Sequence, residues 1–452
     1  MEGAWPMLWR TGSGHPAVVG IVVIALVGCE ALVPGGNGND GTSGPDPDRS
    51  VSTELPDEEV TLRLAFTDGP EMVEELAAAF EDEHPQVTIE PEHTEFSDYE
   101  TNLKLMMTSD SPPDLAQYNV QTKDLVGSGH ILDLDPYHEV YDWSEKFPRN
   151  TLDPLRLEEG GKTHGSGYLY GVPVGMSLSG IFYNKELAEE AGIDTPPRNL
   201  REFERAMEQA LDADLNPLHV GALDSGGIHL WTELLNSMMP AQEYKDWVNG
   251  VEGGSLTGER AVAATETMVD WSERGFINES ANGLGQADST AEFTEGESVF
   301  LINGNWAAGQ VDAEMGDNAG FFLLPGEEAD QPPVASGLSV SYNVSAQTEH
   351  PDVAAAFLDF LGSAEAAEIA SEGGFEPPNA EVAPEPDGVA ADVHESYSSI
   401  IEDGTLNLYP DYSAPASYNE MVSGVQGLLS GETEPEEYLR SLQQVRDEYQ
   451  SE

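Results

Sequence analysis

The 452-residue chain carries 84 Asp and Glu against 18 Lys and Arg, a formal charge of −66, with 39% hydrophobic residues. That length supports two or three lobes with full cores, while the charge excludes nucleic acid and anionic membrane surfaces as partners, because both need Lys and Arg to neutralise phosphate. Acids spread over many segments read as a hydrated, salt-tolerant surface, and the single cysteine, Cys29, excludes an internal disulfide and a thiolate metal cluster.

At the N-terminus, residues 17–27 (AVVGIVVIALV) are an unbroken apolar run, too short for a membrane span and of the length of a signal-peptide core. The run ends in Leu26-Val27-Gly28-Cys29, which resembles a bacterial lipobox and would place an acyl anchor on Cys29. The weakly basic leader, with Glu2 offsetting Arg10, is the atypical part. Residues 1–28 are therefore expected to be a lipoprotein signal peptide and residues 29–57, rich in Gly, Pro, Asp, Ser and Thr, a flexible acidic linker.

The folded part opens with an alternating strand over residues 60–66 (VTLRLAF). Asp68-Gly-Pro-Glu71 then reads as a helix start with Asp68 as N-cap candidate, and Met72, Val73, Leu76, Ala77 and Phe80 mark one face. A strand over 87–90, a helix over 97–108 with Leu103, Met106 and Met107 inward, and a strand over 114–118 follow. Strands alternating with amphipathic helices predict a mostly parallel sheet with ligand groups at its carboxyl edge, where Asp68, Glu95, Tyr118 and Asn119 fall.

Residues 170–192 (YGVPVGMSLSGIFYNKELAEEAG) form an extended Gly-rich passage broken by Pro173, then a short helix that Gly192 closes. Past it the pattern restarts. Asn199 and Glu202 form a capping-box signal for a helix carrying Leu200, Phe203, Met207 and Ala210, followed by residues 218–223, a helical segment with Trp231 and a helix over 257–274. Residues 298–303 (SVFLIN) read as a strand running into Gly304-Asn305-Trp306, and residues 334–343 as a second extended passage containing Gly337. A helix from Pro351 buries Val353, Phe357, Phe360 and Leu361, a Gly373-Gly374-Phe375 turn follows, and helices over 416–429 and 434–449 close the chain, the latter with Leu439, Leu442 and Val445 inward.

The ordered series YGVPVGMSLSGIFYNKELAEEAGIDTPPRNLREF, EFTEGESVFLINGNWAA, VASGLSVSYNV and GGFEPPN is similar to the carbohydrate-binding proteins of bacterial ABC importers, the family that includes maltose-binding protein, from about Val60 to the C-terminus. The resemblance implies an α/β, two-lobed type II periplasmic-binding-protein fold, each lobe a mixed, mostly parallel sheet flanked by helices, with crossing segments as a hinge. The boundaries it suggests are 58–171 plus 338–373 for one lobe and 172–337 plus 374–452 for the other, with Pro173, Gly175 and Gly337 at the hinge. It implies a lipid-anchored protein on the outer face of the membrane that binds a sugar without chemistry and delivers it to permease subunits. Membrane contact would come through the anchor only, and the chain would act as a monomer with no cofactor and no metal.

Sugars present apolar C–H faces and hydroxyl rims, so a sugar cleft needs aromatic plates beside acids and amides. Trp306 matches the family's stacking position and Trp231 resembles its second plate, although either could instead be core. Asp68, Glu95, Tyr118 and Asn119 would form the polar rim, Ser177 and Gly175 the cleft floor, and Phe375 and Tyr418 further contacts. A polyamine or peptide ligand remains an alternative, as does a glycoside hydrolase, for which an acid pair can always be proposed among 84 carboxylates. The signature motifs HExxH, GxSxG and Walker A are missing, and the histidines are scattered without ligand spacing.

Overall fold

The computed structural model describes residues 50–194, 196–378 and 386–451. The expected signal segment, Cys29 and most of the linker lie outside the described residues.

The first strand, β1 (Val60–Phe66), feeds helix α1 (Pro70–Glu83), whose Met72, Val73, Leu76, Ala77 and Phe80 are all buried as the spacing predicts. Full burial of such side chains is worth about 1.5–3 kcal/mol each. The N-cap, however, is Gly69 in left-handed geometry (φ 61°) and not Asp68, so the Asp68 carboxylate is left for other work. Strand β2 (Val87–His93) is longer than expected, and helix α2 (Phe96–Met107) buries Tyr99, Glu100, Leu103 and Met107 while Met106 is only half-buried. Strand β3 (Leu115–Gln117) completes a parallel trio in the order β2-β1-β3. A two-stranded hairpin, β4 (Arg156–Leu157) and β5 (Tyr168–Leu169), stands apart.

Two long strands unite the molecule. The first, β6 (Val172–Asn184), is continuous through Pro173 and buried at all thirteen positions. Beyond it lie β7 (Leu218–His219), β8 (Phe300–Gly304) and β9 (Ala319–Phe322), before the second long strand β10 (Val334–Val344) and the short β11 (Thr405–Asn407). The sheet order is β2-β1-β3-β10-β6-β8-β7, with β9 on β6 and β11 on β10. The beginning of β6 pairs antiparallel with β10, and its end with β8 and β9. In the same way β10 pairs with β11 at its start and with β3 at its end. Each long strand therefore belongs to both halves of the sheet, the arrangement of a two-lobed fold with crossing connections.

Pro173 is tolerated mid-sheet because it sits at a register shift: Gly175 faces Val340 and Pro173 faces Ser341, so one residue of β6 bulges where proline has no N–H to donate. Gly337 is fixed by close approach, since a Cβ there would lie 2.2 Å from the Ser177 carbonyl oxygen. Between the long strands, the buried Glu233 accepts from the Ser179 hydroxyl (2.5 Å) and the Ser336 backbone N–H (3.0 Å). Its carboxyl is thereby tied to β6 and β10 together, and burial pushes its pKa up to about 7.

Helix caps follow the sequence closely. Asn184 accepts from Leu187 N–H, Asn199 accepts from Glu202 N–H, and Gly192 takes φ 67° after the helix Lys185–Glu190. The last helix, Pro435–Ser451, buries Arg446 and leaves Val445 half-buried, because the guanidinium donates to the Trp247 and Val251 carbonyls. Among the described residues no helix is long and apolar enough to cross a membrane.

Candidate ligand-binding cleft

Parallel strands β1 and β3 end where Thr67, Asp68, Gln117, Tyr118 and Asn119 open into a cavity of about 210 Å³, joined by Glu95 and Glu100 from the start of α2. The carboxyl edge of a parallel sheet is where side chains can converge without breaking the ladder. From the opposite side come Ser177 of β6, His229 on the helix Gly226–Met238, Trp306 just after β8, and Tyr409, Asp411 and Tyr412. A second cavity of about 560 Å³ borders the same stretch of the long strands, lined by Met176, Gly337, Leu338, Ser339 and Asn407. Only the first gathers Trp306, His229 and Tyr409 with four carboxyl groups.

The wall at the strand ends is acidic and held by amides. Gln117 accepts from the Thr67 and Asp68 N–H groups (3.0 and 3.1 Å) and donates Nε2 to the Asp68 carboxylate at 2.5 Å. Burial raises the Asp68 pKa, and the Gln117 bond only partly opposes it. Glu100 accepts from Asn119 Nδ2 at 2.9 Å, and burial followed by the nearby Asp411 charge pushes its pKa well up. Burial likewise raises Asp411 to about 7. Glu95 is exposed at the rim.

The facing wall is built from rings. Trp306 is half-buried, with its ring 5.3 Å from His229 and 6.3 Å from Tyr409. Burial lowers the His229 pKa to about 4, so the imidazole is neutral at pH 7. Tyr118 and Tyr412 stack at 6.4 Å and 6°, and Tyr418 meets Phe96 of α2 edge-on at 5.8 Å. Several residues that line the cavity carry a buried polar atom without a hydrogen-bond partner: Glu100 Oε2, Tyr118 OH, His229 Nδ1, Gln286 Nε2, Ser339 Oγ and Tyr418 OH. Isolated orphans of this kind are costly and rare. Six such atoms on residues around one cavity mark where the protein bears that cost.

Of the residues expected from the sequence, Asp68, Glu95, Tyr118, Asn119, Ser177, Trp306 and Tyr418 line this cavity. The Ser177 hydroxyl is mainly committed to the Leu338 carbonyl at 2.8 Å, so it joins the long strands as well as facing the cavity. Trp231 does not line it: the ring is fully buried, its N–H donates to Thr265 Oγ1 at 2.9 Å, and it packs on Tyr438. Two residues along a helix turn a side chain by about 200°, so His229 reaches the cavity and Trp231 faces the core. Phe375 is also buried, its Cβ only 2.7 Å from where a side chain on Gly175 would begin. Gly175 is thus small to admit Phe375, not to floor the cleft.

Glu100, Gln117, His229, Tyr409, Asp411 and Tyr412 were missed. Glu100 could have been found as an acid in register with the buried Leu103 and Met107 of α2, and Tyr409-Pro410-Asp411-Tyr412 as an aromatic and acidic cluster outside any helix pattern.

The pattern for bacterial extracellular solute-binding proteins matches residues 66–368. The chain is 19% identical over 371 residues to the multiple sugar-binding protein of Streptococcus mutans, with 80% of each chain covered. It is 25% identical over 272 residues to the xylose/arabinose-binding protein XacG of Haloferax volcanii, covering 57% of this chain and 55% of that relative. A chitin oligosaccharide binding protein of known structure superposes with a TM-score of 0.75 at 21% identity, over 87% of this chain and 100% of the other. The matched residues run from the end of β1 through both long strands, and the chain belongs to the bacterial extracellular solute-binding protein family.

Proposed function

We propose that the protein reversibly binds a short saccharide between its two lobes and delivers it to an ABC permease, without converting it. The observation that carries this reading is the pairing of the Trp306–His229–Tyr409 ring wall with a facing wall of carboxyl and amide groups. A sugar has apolar faces for the first and hydroxyls for the second. The cavity volume of about 210 Å³ suits a short saccharide better than a long chain. The sugar ligands named for its relatives favour the same class.

In this reading the ligand stabilises the closed form of an open-closed equilibrium by touching both lobes. The lobes would be 58–171 with 338–373 and 172–337 with 374–452, turning at the β6–β10 contact beside Pro173 and Gly337. Cys29 would carry the lipid anchor on the outer face of the membrane, residues 29–57 would act as tether, and the protein would act as a monomer.

Calorimetry against neutral mono- and oligosaccharides, with product analysis of the same samples, tests the reading. Saturable binding with intact sugar is expected, and turnover to cleaved products would overturn it. The excess of 84 acids over 18 bases predicts self-repulsion relieved by counterions. The melting temperature should therefore rise from low to molar salt, and an unchanged value would reject a salt-adapted surface.

A further inference from the structure

Resting on the saccharide reading above, we propose that the cleft prefers a saccharide bearing a protonated amine over neutral and acidic ones, with the ammonium held by Glu100 and Asp411. Four carboxyl groups, Asp68, Glu95, Glu100 and Asp411, line the cavity, and no Lys or Arg is among its lining residues. An anionic sugar would meet like charges and no cation, which disfavours uronates and sugar phosphates.

A neutral sugar could hydrogen-bond to these groups but brings no charge that would favour their ionised form. The discriminating feature is Glu100. It lines the cavity though only 4% exposed, its Oε1 is bound by Asn119, and its buried Oε2 has no hydrogen-bond partner. Such an oxygen calls for a donor, and an ammonium supplies three N–H groups together with the compensating charge. A bare metal ion fits less well, because among the described residues no three His, Cys, Asp or Glu side chains converge at metal-binding spacing.

The groups facing the Glu100–Asp411 pair are mostly neutral or acidic. They are Asp68 beyond β1, Tyr99 and Asn119, Tyr118 stacked on Tyr412, and the Tyr418 ring with Asp224 behind it. Lys123 is turned away, its ammonium donating to the Tyr412 carbonyl at 3.1 Å. Burial raises both carboxyls, and the Asp411 charge adds to the rise at Glu100, so both hold protons more readily than free carboxylates do. A cation entering between them displaces protons, whereas a neutral sugar does not.

The test is titration calorimetry at pH 7 with the β-1,4-linked glucosamine disaccharide and its N-acetylated, uncharged counterpart. Each is run in two buffers of different ionisation enthalpy. The amine form should bind at least about tenfold more tightly, and its apparent heat should change between buffers in the sense of proton release. Glu100→Gln, with its fold checked by thermal melting, should narrow that preference by about tenfold. Equal or weaker binding of the amine form, or heats independent of buffer, would overturn the inference while sugar binding stands. Saturable binding of putrescine with neither disaccharide bound would overturn the saccharide reading and this inference with it.

Discussion

The two walls of the cleft are built by opposite means. The strand-end wall presents Asp68 and Glu100, charged groups that burial disfavours and that amides from Gln117 and Asn119 hold in place. The facing wall presents Trp306, His229 and Tyr409, whose rings are neutral at pH 7. Ring packing adds stability to the protein on its own, whereas buried carboxyls cost it stability until something compensates them. In the proposed function the acidic wall would be where the protein gives up stability for recognition, and the aromatic wall where fold and binding agree.

The largest expected effect lies just behind the ring wall. Trp231→Ala should destabilise the protein by about 3–5 kcal/mol, as large-to-small changes in a core do, and should leave the affinity of the folded fraction unchanged. Denaturant unfolding alongside calorimetry checks both, and an affinity loss with little destabilisation would make Trp231 part of the site after all.

Between the walls, Glu233 ties the two long strands, and its folded pKa is raised from 4.5 to about 7. A raised carboxyl keeps its proton in the folded state where the unfolded chain has lost it, so this group's contribution is present below about pH 4.5 and lost as pH rises through about 7. Across that window Glu233 should contribute a fall in stability on the order of 1–3 kcal/mol. Glu233→Gln should flatten that part of the profile, and an unaltered slope would show that the group is ionised throughout.

Trp306→Ala should lower saccharide affinity by about 1–3 kcal/mol, the cost of a lost aromatic anchor, with little change in melting temperature. An unchanged dissociation constant would remove the ring wall from the binding account. On the acidic wall, Gln117→Leu strips the amide from Asp68 and two backbone N–H groups. The expected cost in stability is about 1–2 kcal/mol, and binding should weaken with it because Asp68 loses its orientation. Wild-type behaviour in both measurements would mean that Asp68 is held by something other than Gln117.

How much was readable in advance depended on the range of the interactions involved. The helix cap at Asn199, the left-handed Gly192 and the apolar face of α1 follow from residues within one or two turns of each other, so the local pattern was sufficient. Trp306 and Tyr118 were found because strand ends are local features and the sheet edge is where they must point. Asp68 lies at the strand end where it was expected, but Gly69 does the capping expected of it, and the carboxylate answers to Gln117, 49 positions away.

By itself the sequence determined the alternation of strands and helices, the excess of acidic residues, and seven of the residues that line the cleft. Only the tertiary structure decided which tryptophan lines the cleft, that Phe375 occupies the space left by Gly175, and that Glu100 and Asp411 line one cavity from distant parts of the chain. The physical reason is that burial and pairing of charge arise where distant segments meet, and a local pattern carries no information about which segments those are.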